Sequence, residues 1–303
     1  MNLDLWYKLP MALERLQKVL ASAGLASRRA CEEMILDRRV AVNGKQVSTL
    51  PALVDPESDR ITVDGQLLRA PRKVYFMLHK PKGVHCTNDD PQSRTRAIDL
   101  LPRIRERVFP VGRLDADSTG LLLLTNDGEL AQRLTHPRFG VPKTYRVHLP
   151  GLVGNNEIAR LLKGVWLHEG KAHVSEASVV HAGRDGSMIE VTLREGRNRE
   201  IRRVMAKLGF EVRKLVRIRM GPLSLSGLPI GASRPLSPDE VKSLRQYRAP
   251  APRKKPAAEL KSLNATKSGK KIRGRKTAPA AQPDKDTRRI ATAPDGTTIL
   301  RRR

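Results

Sequence analysis

Residues 110–128, PVGRLDADSTGLLLLTNDG, bring together three carboxylates, Asp115, Asp117 and Asp127. A carboxylate that acts as a nucleophile or base needs a tight turn, packed flanking strands and a nearby cation. Asp115 has all three in sequence: apolar runs on both sides, Gly112 for the turn and Arg113 two residues away. Spacing alone does not single it out. Asp127 lies in an Asn-Asp-Gly turn that turn chemistry explains, and Asp117 could cap or solvate the loop.

The partner class is written in the charge. The 303 residues carry 58 Lys+Arg against 31 Asp+Glu, a net +27. Residues 249–303 hold 16 basic and 4 acidic residues (+12), so the first 248 still carry +15. An excess this large favours a polyanion through counterion release. No amphipathic anchor or lipidation signal points to a membrane surface, and no apolar run approaches the ~18 residues of a membrane span. Cys31 and Cys86 lack metal or disulfide-framework spacing, so a reduced, cytoplasmic protein is expected. His79, His85, His136 and His168 are scattered, no P-loop or Rossmann fingerprint is present, and a zinc-deaminase pattern is missing. No metal or organic cofactor is implied.

The elements that would position these groups follow from periodicity. Leu13, Leu16, Leu20 and Ala23 recur at helical spacing up to Gly24, and Ser27 is an N-cap for a second helix carrying Cys31, Met34 and Ile35. Asn43-Gly44 and Asp64-Gly65 are hairpin turns between alternating apolar residues. After a linker near 70–73, strands are predicted at 74–78, 109–111, 121–125, 145–149, 212–219 and 222–228. A strand pair at 173–180 and 187–194 turns at Asp185-Gly186. Helices are predicted at 129–135, 154–163 and 199–208, the last with its arginines outward. The expected division is an extension at 1–12, modules at 13–72 and 73–248, and a disordered basic tail at 249–303.

Arg15, Lys18, Arg28, Arg29, Arg38, Arg39 and Lys45 crowd the first module, where a small core takes up the apolar positions. Basic groups fixed on helices and a hairpin track phosphates better than a floppy tail. The wording RLQKVLASAGLASRRACEEMILDRRVAVNGK resembles the S-four RNA-binding domain. That implies docking on structured RNA through shape and backbone contacts.

GRLDADSTGLLLLTNDGEL resembles the signature of the RsuA/RluB/RluE/RluF family of ribosomal RNA pseudouridine synthases. HKPKG (79–83) before it, and KTYRV (143–147) and LREGRNREIRRVM (193–205) after it, stand in the family's order. The resemblance implies an α+β chain: an αα-hairpin and β-hairpin module, then a synthase domain with a mixed, largely antiparallel sheet flanked by helices. It implies that Asp115 is the essential carboxylate and that Arg202 pairs with it. It also makes Tyr145 the ring on which an extruded base rests. Leu193 is expected near that base, Arg113 among the substrate-binding residues, and Arg199 and Arg203 either as surface arginines of a basic helix or on the substrate's phosphates. Both a nucleophilic and a glycal-like route use an ionised carboxylate, and the residues do not choose between them. EGRNREIRR (195–203) resembles the large-subunit branch of the family, so 23S rRNA, free or in a precursor particle, is the expected partner of a monomeric enzyme. The alternatives are a member acting on 16S rRNA and a non-catalytic RNA-binding assembly factor.

Overall fold

The computed structural model describes residues 13–250; the expectations for 1–12 and for the tail from 251 fall outside them. Helices Leu16–Ser22 and Arg28–Leu36 form the expected pair, and the Ser27 hydroxyl caps the second by accepting from Ala30 N at 3.1 Å. They cover a four-stranded antiparallel sheet of Lys45–Val47, Val40–Val42, Ile61–Val63 and Gln66–Leu67. Both predicted turns have positive φ at each central residue, 51° and 79° at Asn43-Gly44, 48° and 79° at Asp64-Gly65. Leu16, Leu20, Cys31, Ile35, Val40 and Ile61 fill the core between the layers.

The remainder is built on one nine-stranded sheet. Its main path runs Val174–Gly183, Gly186–Leu193, Lys143–Leu149, Lys214–Met220, Thr119–Thr125, Tyr75–Lys80, Ser233–Pro235. Every pairing is antiparallel except Thr119–Thr125 with Lys214–Met220, so the sheet is mixed and largely antiparallel as expected. That parallel junction spans two residue pairs, Thr119 with Val216 and Gly120 with Arg217.

Alternation along the strands sorts the two faces. Tyr145, Val147 and Leu149 point to one face, where helices Asn155–Lys163 and Glu200–Lys207 close a core with Ile189 and Val191. Leu78, Leu122 and Leu124 build a second core with Val84 and Leu114, and Tyr145 packs against both cores. Met77, Leu121 and Leu123 point the other way and pack on helix Gly128–Thr135 and Leu244. Asp127 caps that helix by accepting from Leu130 N at 3.2 Å.

Three local expectations are corrected. The turn of the long hairpin is Arg184-Asp185, because Gly186 already pairs with Gly183. The strand expected at 222–228 is only Leu223–Ser224. The chain then adds strand Ser233–Pro235 and helix Pro238–Gln246, which the apolar pattern did not signal.

Candidate active site

The Asp115 loop is held at three points. Val111 N donates to Leu123 O (2.8 Å), Gly83 N of the HKPKG turn to Ala116 O (2.7 Å), and Ser118 N to Asp115 O (3.0 Å). Buried Leu114 anchors it in the core beside Cys86. All seven residues of the following strand are buried, so the loop rests on a rigid base. Gly120 lies where that base meets the neighbouring strand: its φ is +115°, and an added Cβ would stand 2.3 Å from Arg217 O. No side chain fits there.

The arginines distribute unequally over the two loop aspartates. Arg199 donates twice to Asp117, at 3.2 and 2.9 Å, and reaches Asp115 only at 3.6 Å. Arg202 lies 3.3 Å from the Asp117 carboxylate and donates to its backbone oxygen at 3.3 Å and to Val212 O at 2.9 Å. The expected Arg202–Asp115 pair is thus replaced by an Arg202–Asp117 pair, and among the described residues Arg199 is the cation paired with Asp115. Hydrogen bonding from Arg199, opposed by partial burial and reinforced by the Arg202 charge, holds the Asp117 carboxyl below its ordinary pKa. The Asp115 carboxylate accepts no hydrogen bond among the described residues. Arg199 itself sits in the left-handed region at φ 46°, a conformation in which a non-glycine residue stores about 1–3 kcal/mol.

Four buried charged groups, three cations and one carboxylate, lie on the neighbouring strands and helix. Lys80 of HKPKG is fully buried and donates to Pro81 O at 2.9 Å. Burial lowers its pKa, while the charges of Cys86, Asp117 and Asp115 oppose that shift. Arg217, 1% exposed, faces Tyr145 across the strands and donates to Leu121 O at 2.7 Å; its Nη2 has no partner among the described residues. Burial, aided by Arg217, depresses Lys143 to about 8. Glu200, also buried, has its pKa raised chiefly by desolvation. These four were absent from the sequence-predicted site. HKPKG carried a signal for Lys80, whereas Arg217 alternates with buried Leu215 onto the inner face of a basic-looking strand, a place its charge does not announce.

The other predicted site residues separate. Tyr145 is half-buried at the junction of the two cores. Leu193 is buried within one core, opposite Lys143. Arg113 is exposed and pairs with no carboxylate among the described residues, so it is not the countercharge expected two residues from Asp115. Arg203 is taken up by Glu169, whose carboxyl it holds at about 2. In the N-terminal module Lys18 pairs with Glu14 (2.6 Å) and Arg39 with Asp64 (2.6 Å). Arg15, Arg28, Arg29, Arg38 and Lys45 are exposed without a carboxylate partner among the described residues.

Residues 74–207 match the family model for RNA pseudouridylate synthase, and residues 14–61 match that of the S4 domain. Ribosomal large subunit pseudouridine synthase B of Bacillus subtilis is 43% identical over 235 residues, covering 77% of this chain and 96% of that protein. The chain belongs to the RNA pseudouridine synthase family. The synthase is also 39% identical over 297 residues to ribosomal large subunit pseudouridine synthase B of Pseudomonas aeruginosa, covering 95% of this chain and 76% of the relative. A crystal structure of a pseudouridylate synthase is 31% identical with a TM-score of 0.55, covering 76% of the synthase and 99% of that chain.

Proposed function

We propose that this synthase isomerises a uridine of 23S ribosomal RNA, with Asp115 as the reacting carboxylate. The observation that carries this reading is the contrast between two neighbouring aspartates. Asp117 is paired with two guanidinium groups, whereas Asp115, on the same loop and equally half-exposed, has among the described residues one cation, at 3.6 Å, and accepts no hydrogen bond. Asp117 has the surroundings of a structural anchor and Asp115 those of a reacting group.

The reaction breaks the bond between ribose C1′ and uracil N1, whose electron pair goes to N1. The ring turns, C5 bonds to C1′, the C5 proton leaves and N1 gains a proton, so the product is an isomer. Asp115 serves either by attacking C1′, to be displaced again when C5 bonds there, or by removing the C2′ proton to give a glycal-like intermediate and returning it to C2′ as C5 bonds to C1′. The departing ring carries negative charge, and the buried cations Lys80, Arg217 and Lys143 favour such charge in a medium of low polarity. The Tyr145 ring supports the extruded base. No cofactor enters this scheme. Residues 13–72 serve as the docking module, through Arg15, Arg28, Arg29, Arg38 and Lys45, and residues 73–248 as the catalytic one. The enzyme works as a cytoplasmic monomer; none of the described helices is long and apolar enough to cross a membrane.

The test is tritium release from rRNA labelled at uracil C5, with large- and small-subunit rRNA assayed separately. Release from large-subunit RNA alone is expected. Release confined to small-subunit RNA would move the substrate to 16S, and release from neither would favour an assembly factor.

A further inference from the structure

On the sheet face opposite Tyr145 lies an open groove of about 450 Å³. Thr144, Arg146 and His148 alternate with Tyr145 and Val147, so they face away from the Asp115 side. The groove's floor is apolar, from Val216, Ile218 and Ile230, the last 59% exposed. Its rim carries Arg146, Lys214 and Arg219, and none of its lining residues is acidic. Arg146 is balanced by Glu190 at 2.7 Å. Lys214 and Arg219 are exposed and have no carboxylate partner among the described residues. The positive potential is felt inside the groove: burial and then the charges of Lys214 and Arg146 push the His148 pKa down.

A solvated basic face is usually convex and interleaved with carboxylates. Here two unpaired cations border a hollow whose floor would otherwise expose apolar surface to water. That combination suits a polyanion with flat apolar groups between its charges, which is the chemistry of a nucleic-acid strand. The chain's own remaining segment is a poor occupant, since residues 249–303 are themselves +12.

We propose that this groove is a second docking surface for RNA, holding the backbone of a segment that passes behind the sheet while another segment meets Asp115. The inference rests on the reading of the chain as an rRNA enzyme and extends it: a short hairpin would fill the Asp115 side only, and a longer fragment would reach both. Lys214 and Arg219 each neutralise a phosphate, and the apolar floor takes the intervening sugar or base.

The test compares the full-length protein with its Lys214→Ala/Arg219→Ala variant by fluorescence anisotropy between 50 and 300 mM salt. The probes are a large-subunit rRNA fragment of several hundred nucleotides and a ten-base-pair hairpin. Two lost phosphate contacts should lower the salt slope for the long fragment by about 1.5, weakening binding roughly 10–20-fold near 0.15 M salt. Hairpin binding should stay within twofold. A control variant, Arg184→Ala/Lys242→Ala, removes two exposed cations elsewhere and should leave the long-fragment slope unchanged. An unchanged slope in the groove variant, or an equal loss in the control, overturns the proposal. Tritium release by the unmodified protein reports separately on the enzymatic reading, so the two can fail independently.

Discussion

Replacing Gly120 by alanine should be among the most damaging single-methyl changes in this protein. The new Cβ would lie 2.3 Å from Arg217 O and 2.5 Å from Arg217 N, about 1 Å inside ordinary contact, and the atoms it meets are backbone that cannot swing aside. A φ of +115° adds strain of about 1–3 kcal/mol for an L-residue. Parting the strands to relieve the overlap adds about 1–3 kcal/mol more. At roughly 2–4 °C per kcal/mol for a protein of this size, Tm should fall by about 10 °C. The parallel junction consists of only two residue pairs, so the shift should also carry Arg217 away from Leu121 O and tilt the Asp115 loop. Tritium release measured well below the new Tm should therefore fall as well. Gly128→Ala is the control: it opens helix Gly128–Thr135 with nothing within 4 Å of its would-be Cβ, and should leave Tm within 2 °C. If Gly120→Ala melted within 2 °C of the parent, the argument from close approach would be wrong.

Three further outcomes follow from the site. Asp117→Asn should release Arg199, worth about 1 kcal/mol once solvent screening of this half-exposed pair is allowed for; the guanidinium then settles on Asp115 and slows tritium release about fivefold. Adding Arg199→Ala should recover part of that rate, and a double variant slower than Asp117→Asn would refute the clamp. Lys143, at about 8 in the fold against 10.5 ordinarily, loses its proton more easily folded than unfolded. Its destabilising effect is therefore complete below pH 8 and disappears as pH rises toward 10.5. Lys143→Met should raise stability at pH 7 by on the order of 2–3 kcal/mol. Urea midpoints at pH 7 and pH 10 should show that gain shrinking, and an equal gain at both would contradict the assignment. Tyr145→Phe should keep kcat/KM within a few fold while Tyr145→Ala loses about 10–100-fold, as stacking worth about 1–3 kcal/mol requires; equal losses would exclude a stacking role.

Local signals in the chain carried much of this architecture. Ser27, Asn43-Gly44, Asp64-Gly65 and Asp127 act through their immediate neighbours, so caps and turns could be located before the fold was known. Helix Pro238–Gln246 carries a capping box in Ser237 and Glu240, but it has no apolar stripe to mark it, since of its residues only Leu244 is buried. The site was legible as a set of motifs but not as a set of pairs. Which arginine meets which aspartate depends on the left-handed turn at Arg199, which places its guanidinium over the loop ahead of Arg202. Arg217 was hidden for another reason. Alternation with buried Leu215 puts Arg217 on the inner face opposite Tyr145, where the charge of a basic-rich strand would not be expected.

The most direct measurement is tritium release by Asp115→Asn on large-subunit rRNA, set beside its RNA affinity. The change keeps the side chain's size and removes its charge, and no hydrogen bond to Asp115 among the described residues is lost with it. Release should disappear while the dissociation constant stays within a few fold and Tm within about 2 °C of the parent. A variant that bound RNA normally and still turned over at the parental rate would contradict the assignment of Asp115 as the reacting group.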